Sequence, residues 1–284
     1  MIVDSHQHFW DPESVEYPWL VPEYGPIYRT LAPSELEPQL AAAGIDRTVL
    51  VQAANSYADT DSMLAHAARH AWIGAVVGWV PLEDAAEAAR VLDSRYLANP
   101  WFKGVRHLDH EEKDPDWLVR PAVIDGLKVL AERGLVYEAV AVYPLHLGHI
   151  PTLARSCPDL TIVIDHLGKP PIVSGDYDGW KAELRAAAEH PNVHAKVSGL
   201  NTAADWATWS AADLQEAVGF AVEVFGPKRL LFGSDWPVAI LAGDYAMVWR
   251  ETNVVLDSLG VSGADRAAIL GDNAASLYAI GAAA

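Results

Sequence analysis

A regular alternation of short apolar runs with helix-like segments constrains the fold of this chain more than any other feature. Eight runs rich in Val, Ile and Leu predict strands, and they are Ile2–Ser5, Thr48–Gln52, Ala75–Val80, Gly104–His107, Val136–Val142, Thr161–Asp165, Val193–Val197 and Leu230–Gly233. Helices are predicted at Pro33–Ala43, Asp61–His70, Leu82–Leu92, Ile124–Arg133, Ile150–Ser156, Trp180–Glu189, Leu214–Phe225 and Arg266–Tyr278. Strands that alternate with helices pair in parallel, and eight such units close a (β/α)₈ barrel.

The length of 284 residues suits a single barrel. No segment rich in Pro, Gly and Ser divides the chain, so we predict one domain over residues 1–284. The competing architecture is an open doubly wound sheet, which would carry a Gly-rich fingerprint after its first strand. Here the first strand ends in His-Gln-His instead, which favours the barrel. The long aromatic loop Phe9–Thr30 follows that strand and is expected over the mouth of the barrel.

The charge balance restricts the class of partner. With 20 basic and 38 acidic residues the formal net charge is −18, which disfavours nucleic acid and anionic membrane surfaces and favours a small neutral substrate. Cys157 is the only cysteine, so no internal disulfide forms. The N-terminal residues do not resemble a secretory signal, and no apolar run is long enough to cross a bilayer. We therefore expect a cytoplasmic monomer or homodimer.

Polar residues stand where three of the predicted strands stop. His6 and His8 end the first strand, His166 follows the sixth, and Asp235 follows the eighth. In a barrel the carboxyl ends of all strands meet at one rim, so these four side chains are expected in one site. Each residue taken alone has an ordinary interpretation, such as a core histidine or a helix N-cap. Together they predict metal ligands or acid–base groups, with Asp235 and His166 as the catalytic pair.

Candidate substrate-binding residues surround this group. Arg106 and His107 end the fourth strand, and since side chains alternate, only one faces the interior; we favour His107 because it stands last. Trp10 and Trp236 are placed near the same mouth, although aromatic residues serve packing more often than binding. Cys157 falls before a strand, hence at the opposite rim, and no Gly-x-Ser-x-Gly motif is present, so thiol and serine nucleophiles are not expected.

The ordered set DSHQHFWDP, FKGVRH, IDHLGKP, KVSGL and FGSDWPV spans nearly the whole chain and resembles the amidohydrolase-2 family. The resemblance is strongest to its branch of sugar-acid lactonases, which act on L-fucono- or L-rhamnono-lactone. It implies an amidohydrolase-type barrel with His6, His8, His166 and Asp235 as active-site residues. It also implies one divalent ion, Zn²⁺ being the expected one, while relatives that work without metal leave catalysis by the side chains alone open.

The chain departs from the family pattern in two places. Glu138 stands in the fifth strand where an apolar residue or Asp is common, which points to a different substrate. No counterpart of the superfamily's carboxylated lysine is evident, because Lys103 comes too early in its strand, and this argues against a two-metal centre.

The function expected from these residues is hydrolysis of a sugar lactone, with Asp235 as general base for an attacking water. Another amidohydrolase-type hydrolysis or a decarboxylation at the same centre is the first alternative. A non-catalytic barrel that binds sugar is the second.

Overall fold

The computed structural model describes residues 1–281, and its eight strands form one parallel sheet in the order β1 to β8. The strands are β1 (Val3–Gln7), β2 (Arg47–Val51), β3 (Ile73–Gly78), β4 (Phe102–His107), β5 (Val136–Ala139), β6 (Thr161–Ile164), β7 (Val193–Val197) and β8 (Leu230–Phe232). The segment after β8 pairs with β1, since the His8 N–H donates to the Trp236 carbonyl at 2.7 Å and the Asp235 N–H to the His6 carbonyl at 2.8 Å. The sheet therefore closes, and the predicted (β/α)₈ barrel is confirmed.

Helices connect the strands and surround them. They are α1 (Pro33–Ala43), α2 (Tyr57–Ala67), α3 (Ala85–Val91), α4 (Pro121–Glu132), α5 (Ile150–Ser156), α6 (Asp178–Ala188), α7 (Ala211–Phe225), α8 (Tyr245–Ser258), α9 (Gly263–Ala267) and α10 (Asn273–Leu277). Helix α8 was not predicted. The single helix expected over Arg266–Tyr278 is instead α9 and α10 joined by one wider turn at Ala268–Asp272. Among residues 1–281, no helix has both the length and the apolar character needed to cross a membrane.

Caps explain why two helices begin earlier than predicted. Helix α2 begins at Tyr57 because the Ser56 hydroxyl accepts the N–H of Asp59. Helix α7 begins at Ala211 because Ser210 and Asp213 form a capping box, in which each side chain binds the other's backbone. Apolar periodicity marks the buried face of a helix, whereas these polar residues fix its first turn.

Strand β5 ends at Ala139, before the predicted end at Val142. Ala141 has a φ of 45°, in the left-handed region that a strand does not adopt. Its N–H donates to Asp109 Oδ2 at 3.3 Å instead of joining the ladder. The apolar run therefore continues past the strand into a loop.

The barrel interior has two layers. The lower layer is aliphatic, and it contains Val3, Val49, Val51, Ala75, Val77, Val136, Val163 and Leu231. Tyr278 and Ile280, after α10, pack against these residues and close the bottom of the barrel. Since side chains alternate along a strand, a step of two residues up β5 or β6 leads from Val136 or Val163 to a buried charge, Glu138 or Asp165. The upper layer is therefore ionic, and it forms the floor of the site.

Candidate active site

The four strand-end residues lie together at the carboxyl rim. Asp235 Oδ1 is 3.8 Å from Nε2 of His6, 3.5 Å from Nε2 of His8 and 3.9 Å from Nε2 of His166. All four side chains are buried. One carboxylate oxygen thus faces three imidazole nitrogens, an arrangement that suits a metal ion or a shared water molecule.

Unusual backbone conformations bring these groups together. His166 has a φ of 54° and Asp235 a φ of 60°, a left-handed region that residues with a Cβ rarely adopt. Gly199 after β7, with a φ of 56°, leaves the room that both side chains need. A Cβ at this position would come within 2.6 Å of both Asp235 Oδ2 and His166 Nδ1. Such backbone strain is retained where the surrounding structure enforces it, most often at functional sites.

Hydrogen bonds orient two of the imidazoles. His8 Nδ1 donates to the Val51 carbonyl at 2.7 Å, so its Nε2 faces Asp235. His166 Nδ1 lies 2.8 Å from the Ser198 hydroxyl, which leaves its Nε2 directed at the same carboxylate. In each ring one nitrogen is tied to the protein and the other is presented to the site, as in histidines that bind metals.

Arg106 enters the barrel interior and joins the ionic floor. Its Nη1 donates to Asp165 Oδ2 at 3.0 Å and lies 3.3 Å from His6 Nε2. The expectation that His107 faces the interior is therefore wrong. Gly104 sets the parity of β4, because a Cβ there would meet Val136 of the aliphatic layer, and Arg106 is two residues further along the same face.

His107 points toward the surrounding helices and loops. Its Nε2 lies 2.8 Å from Glu112 Oε1, the Trp79 indole N–H donates to its Nδ1 at 3.1 Å, and its ring stacks on Trp117 at 3.9 Å. These contacts fix the loop that follows β4 and account for the burial of His107 without a substrate. Its predicted role in substrate binding is not supported by this orientation.

Lys196 in β7 is a central residue that sequence reasoning did not identify. Its ammonium lies 2.6 Å from Glu138 Oε2, 3.0 Å from His6 Nδ1 and 3.4 Å from Asp165 Oδ1. Tyr278 donates to the other oxygen of Glu138. The sequence of β7 contained a clue to this residue, because Lys196 stands between the apolar residues Ala195 and Val197. A polar residue in such an alternating pattern usually faces solvent, however. Glu138, the departure from the family pattern, is thus the counter-ion of Lys196.

Burial and neighbouring charges set the ionisation of the floor. Burial alone would raise the pKa of Asp235, but His166, His8 and Lys169 hold it below its usual range. Burial likewise opposes ionisation of Asp165, whose pKa is nevertheless well below normal because of His6, Lys196 and Arg106. Burial lowers the pKa of His166 to about 3 against the opposing charge of Asp235. Asp235 and Asp165 are therefore charged at neutral pH, and the His166 imidazole is neutral.

A cavity of about 250 Å³ opens above this floor. The loop Phe9–Thr30 covers the mouth as predicted, and it contributes an aromatic and apolar wall formed by Trp10, Trp19, Tyr24 and Ile27. The rest of the lining includes the apolar residues Val140 and Leu241 and the polar residues Arg106, His110 and Lys169. Trp10 therefore has the predicted position. Trp236 does not line the cavity, because it is buried and packs edge-on against Phe9.

The donor atoms fit a divalent ion. His6, His8 and Asp235 present two nitrogens and one oxygen that all lie within 4.8 Å of one another. Asp235 Oδ2 is buried without a hydrogen-bond partner among the described residues. Imidazole and carboxylate ligands suit Zn²⁺, and a buried carboxylate oxygen without a hydrogen-bond partner can coordinate an ion.

The sequence profile of the Amidohydrolase family matches residues 3–280. The chain belongs to this family. It is 37% identical to an L-fucono-1,5-lactonase of Burkholderia ambifaria, covering 98% of this chain and 95% of that protein. An L-fucono-1,5-lactonase of Burkholderia multivorans is 35% identical over 98% and 96% of the two chains. This amidohydrolase thus matches its relatives over nearly their full lengths.

Solved structures agree with this assignment. A crystal structure of an amidohydrolase from Burkholderia multivorans with bound zinc superposes with a TM-score of 0.92 at 32% identity, covering 99% of this chain and all of that one. Another crystal form of an amidohydrolase from the same organism, with bound HEPES, gives a TM-score of 0.91 at 33% identity, again over 99% and 100% of the two chains. The fold and the hydrolase class predicted from the sequence are confirmed.

Proposed function

We propose that this amidohydrolase opens a sugar-acid lactone of the L-fucono-1,5-lactone type to the corresponding aldonic acid. One observation carries the proposal: the buried, ionised Asp235 lies among three imidazoles at the floor of a cavity that accommodates about one monosaccharide. The two relatives named as L-fucono-1,5-lactonases support the same reaction, since they align over nearly the whole chain.

Asp235 acts as general base. It is ionised at neutral pH, and its Oδ2 has no partner among the described residues, so this oxygen can accept the hydrogen of a water that attacks the lactone carbonyl. As the carbonyl oxygen becomes negative, the fixed Arg106 guanidinium stabilises the charge. Arg106 needs no reorganisation for this task because Asp165 and the Gln52 carbonyl already hold it.

His6, His8 and Asp235 would hold a divalent ion, with His166 adjoining them. When bound, the ion would lower the pKa of water and polarise the carbonyl oxygen. The binding of zinc by this chain is part of the proposal. The Val51 carbonyl and the Ser198 hydroxyl fix the imidazole rings of His8 and His166 in the orientation that such an ion requires.

The walls of the cavity fit a sugar ring. Trp10 and Trp19 form one side, and their indole N–H groups are already used by the Ile27 and Ala53 carbonyls. Their faces are therefore apolar surfaces suited to stacking on the C–H face of a sugar. A neutral lactone also avoids repulsion from a chain with a net charge of −18.

A panel of aldonolactones, assayed by acid release with and without a chelator, tests the proposal. We expect L-fucono-1,5-lactone or a stereoisomer to be opened with the highest kcat/KM. Carboxylated aromatics serve as the comparison, because release of CO₂ from them would indicate a decarboxylase instead. Binding of a lactone without turnover, also after addition of Zn²⁺, would contradict the proposal and indicate a sugar-binding barrel. The chelator arm decides whether a metal is required.

A further inference from the structure

Lys169 lines the active-site cavity, and the reaction described above gives it no task. It ends a run of four residues with left-handed backbone, in which His166, Leu167, Gly168 and Lys169 have φ values of 54°, 53°, 69° and 54°. Three of these residues carry a Cβ, so the conformation is costly. The same turn that directs His166 toward Asp235 also brings Lys169 to the cavity wall.

The Lys169 ammonium is held in place with one hydrogen to spare. It donates to the Gly199 carbonyl at 3.2 Å and to the Thr202 hydroxyl at 3.1 Å. An ammonium has three N–H donors, so one donor stays available to a ligand. Both tethers belong to the segment after β7, and Gly199 itself lies against Asp235 and His166.

Opening a lactone requires a proton at the leaving ring oxygen, because an aliphatic alkoxide is a poor leaving group. The groups already described do not supply it well. His166 is occupied on both ring nitrogens, since its Nδ1 lies 2.8 Å from the Ser198 hydroxyl and its Nε2 faces Asp235. An arginine guanidinium does not act as a proton donor to substrate in proteins. His110 also lines the cavity, but burial lowers its pKa to about 4, so it carries no proton to give at neutral pH. Lys169 is a charged group on this wall that can donate.

We propose that Lys169 is a further catalytic residue, whose third N–H donates to the ring oxygen of the bound lactone and protonates it as the acyl C–O bond breaks. The water oxygen forms a bond to the carbonyl carbon, and one water proton goes to Asp235. The electron pair of the breaking C–O bond goes to the ring oxygen, which takes a proton from Lys169. Asp235 then returns its proton through solvent to the Lys169 amine, so that lactone and water become the hydroxy acid. The inference rests on the lactonase function proposed above.

The electrostatic surroundings support this task. Burial lowers the pKa of Lys169, Asp235 and Asp165 oppose this effect, and Arg106 adds to it. A lysine with a lowered pKa is a better acid near neutral pH than one in water. The Asp165 and Asp235 carboxylates, which follow β6 and β8, stabilise the protonated form of Lys169.

The test compares Lys169→Met, Lys169→Ala and the control Lys128→Met with the unchanged enzyme on the best lactone of the panel. Lys128 lies on α4 and pairs with the exposed Asp125, far from any role in the site. We expect Lys169→Met to lower kcat by about 100-fold or more while KM changes little, and Lys128→Met to leave both unchanged. Methylammonium added to Lys169→Ala should restore part of kcat, with rescue depending on the pKa of the amine used.

The pH profile supplies a readout that a structural lysine would not affect. In the unchanged enzyme kcat/KM should fall on the alkaline side as Lys169 loses its proton, and Lys169→Met should lack this limb. Wild-type kcat in Lys169→Met would overturn the inference, as would a loss of activity with an unchanged pH profile and no rescue by amines. If the unchanged enzyme opens no lactone at all, the proposed function itself fails. The assay of the unchanged enzyme alone distinguishes this outcome from failure of the Lys169 inference.

Discussion

The two layers of the barrel interior differ in charge and in backbone conformation although they lie on the same strands. In the lower layer aliphatic side chains fill the space in extended strands. In the upper layer Glu138, Asp165 and Lys196 are buried as charges, and the residues just above have left-handed backbone. Both layers exclude water, but only the upper one depends on each charge having its counter-ion. The lower layer stabilises the barrel, and the upper one uses that rigidity to hold reactive groups.

The largest difference between the layers is expected for Asp235→Asn, which should affect catalysis and leave stability unchanged. The amide has the same shape but cannot accept the proton of water, so we expect kcat to fall by about 10³-fold. Steady-state assays on the preferred lactone measure this loss, and circular dichroism should show an unchanged fold. Asp125→Asn on exposed α4 is the control and should keep full activity. Retained activity in Asp235→Asn would contradict the role of Asp235 as general base. It would also contradict the assignment of catalysis to the upper layer.

Lys196→Met breaks the buried ion pair in the upper layer. It leaves Glu138 and Asp165 without their common cation, so the free energy of unfolding should fall by about 3 to 5 kcal/mol. Adding Glu138→Gln removes the isolated charge and should restore part of this stability. Urea unfolding of both single variants and the double variant measures the coupling. Additive effects would mean that the pair at 2.6 Å is not energetically linked.

Leu231→Ala in the aliphatic layer is the matched comparison for Lys196→Met. It should also destabilise the fold, by about 2 to 5 kcal/mol through the cavity that it leaves. Leu231 is the register partner of Lys196 between β8 and β7, but its side chain packs in the aliphatic layer. Because Leu231→Ala removes no charge, we expect it to keep kcat near the wild-type value. A large loss of kcat in Leu231→Ala would show that the layers are not separable.

The smallest effect is expected at Asp109, a buried carboxyl between the layers and the loops above. Burial raises its pKa to about 7, against a hydrogen bond from the Ala141 N–H, and the charge of Asp165 raises it further. The folded state therefore keeps a proton that the unfolded chain releases near pH 3.8, so this group's contribution to stability is full below that pH and declines up to about pH 7. Asp109→Asn should gain about 1 to 3 kcal/mol at pH 8 and nothing at pH 4. Equal changes at both pH values, measured by urea unfolding, would contradict this.

The fold was predictable because periodicity reports burial. All eight strands were located, and the end of β5 was misplaced because the backbone turns left-handed at Ala141, which no apolar pattern reveals. The convergence of His6, His8, His166 and Asp235 followed from the topology alone. Their roles stay a prediction.

Residues inside the barrel were harder to predict because alternation gives two faces without saying which is inner. The choice between Arg106 and His107 was wrong for this reason, and Gly104 was the available clue. Lys196 was missed because a lysine between apolar residues usually points to solvent. Its buried place depends on Glu138, which is 58 positions earlier in the chain (196 − 138) and joins it only in the closed barrel.

The hydrogen bond from Tyr278 to Glu138 ties the end of the described chain to the ionic floor. During synthesis this contact can form only after β8 and helices α8 to α10 have left the ribosome. An emerging chain that has completed β8 still lacks the phenol that holds Glu138 from below. Catalytic competence should therefore depend on residues that follow β8, and removal of Tyr278 should impair turnover at a site on the opposite side of the barrel.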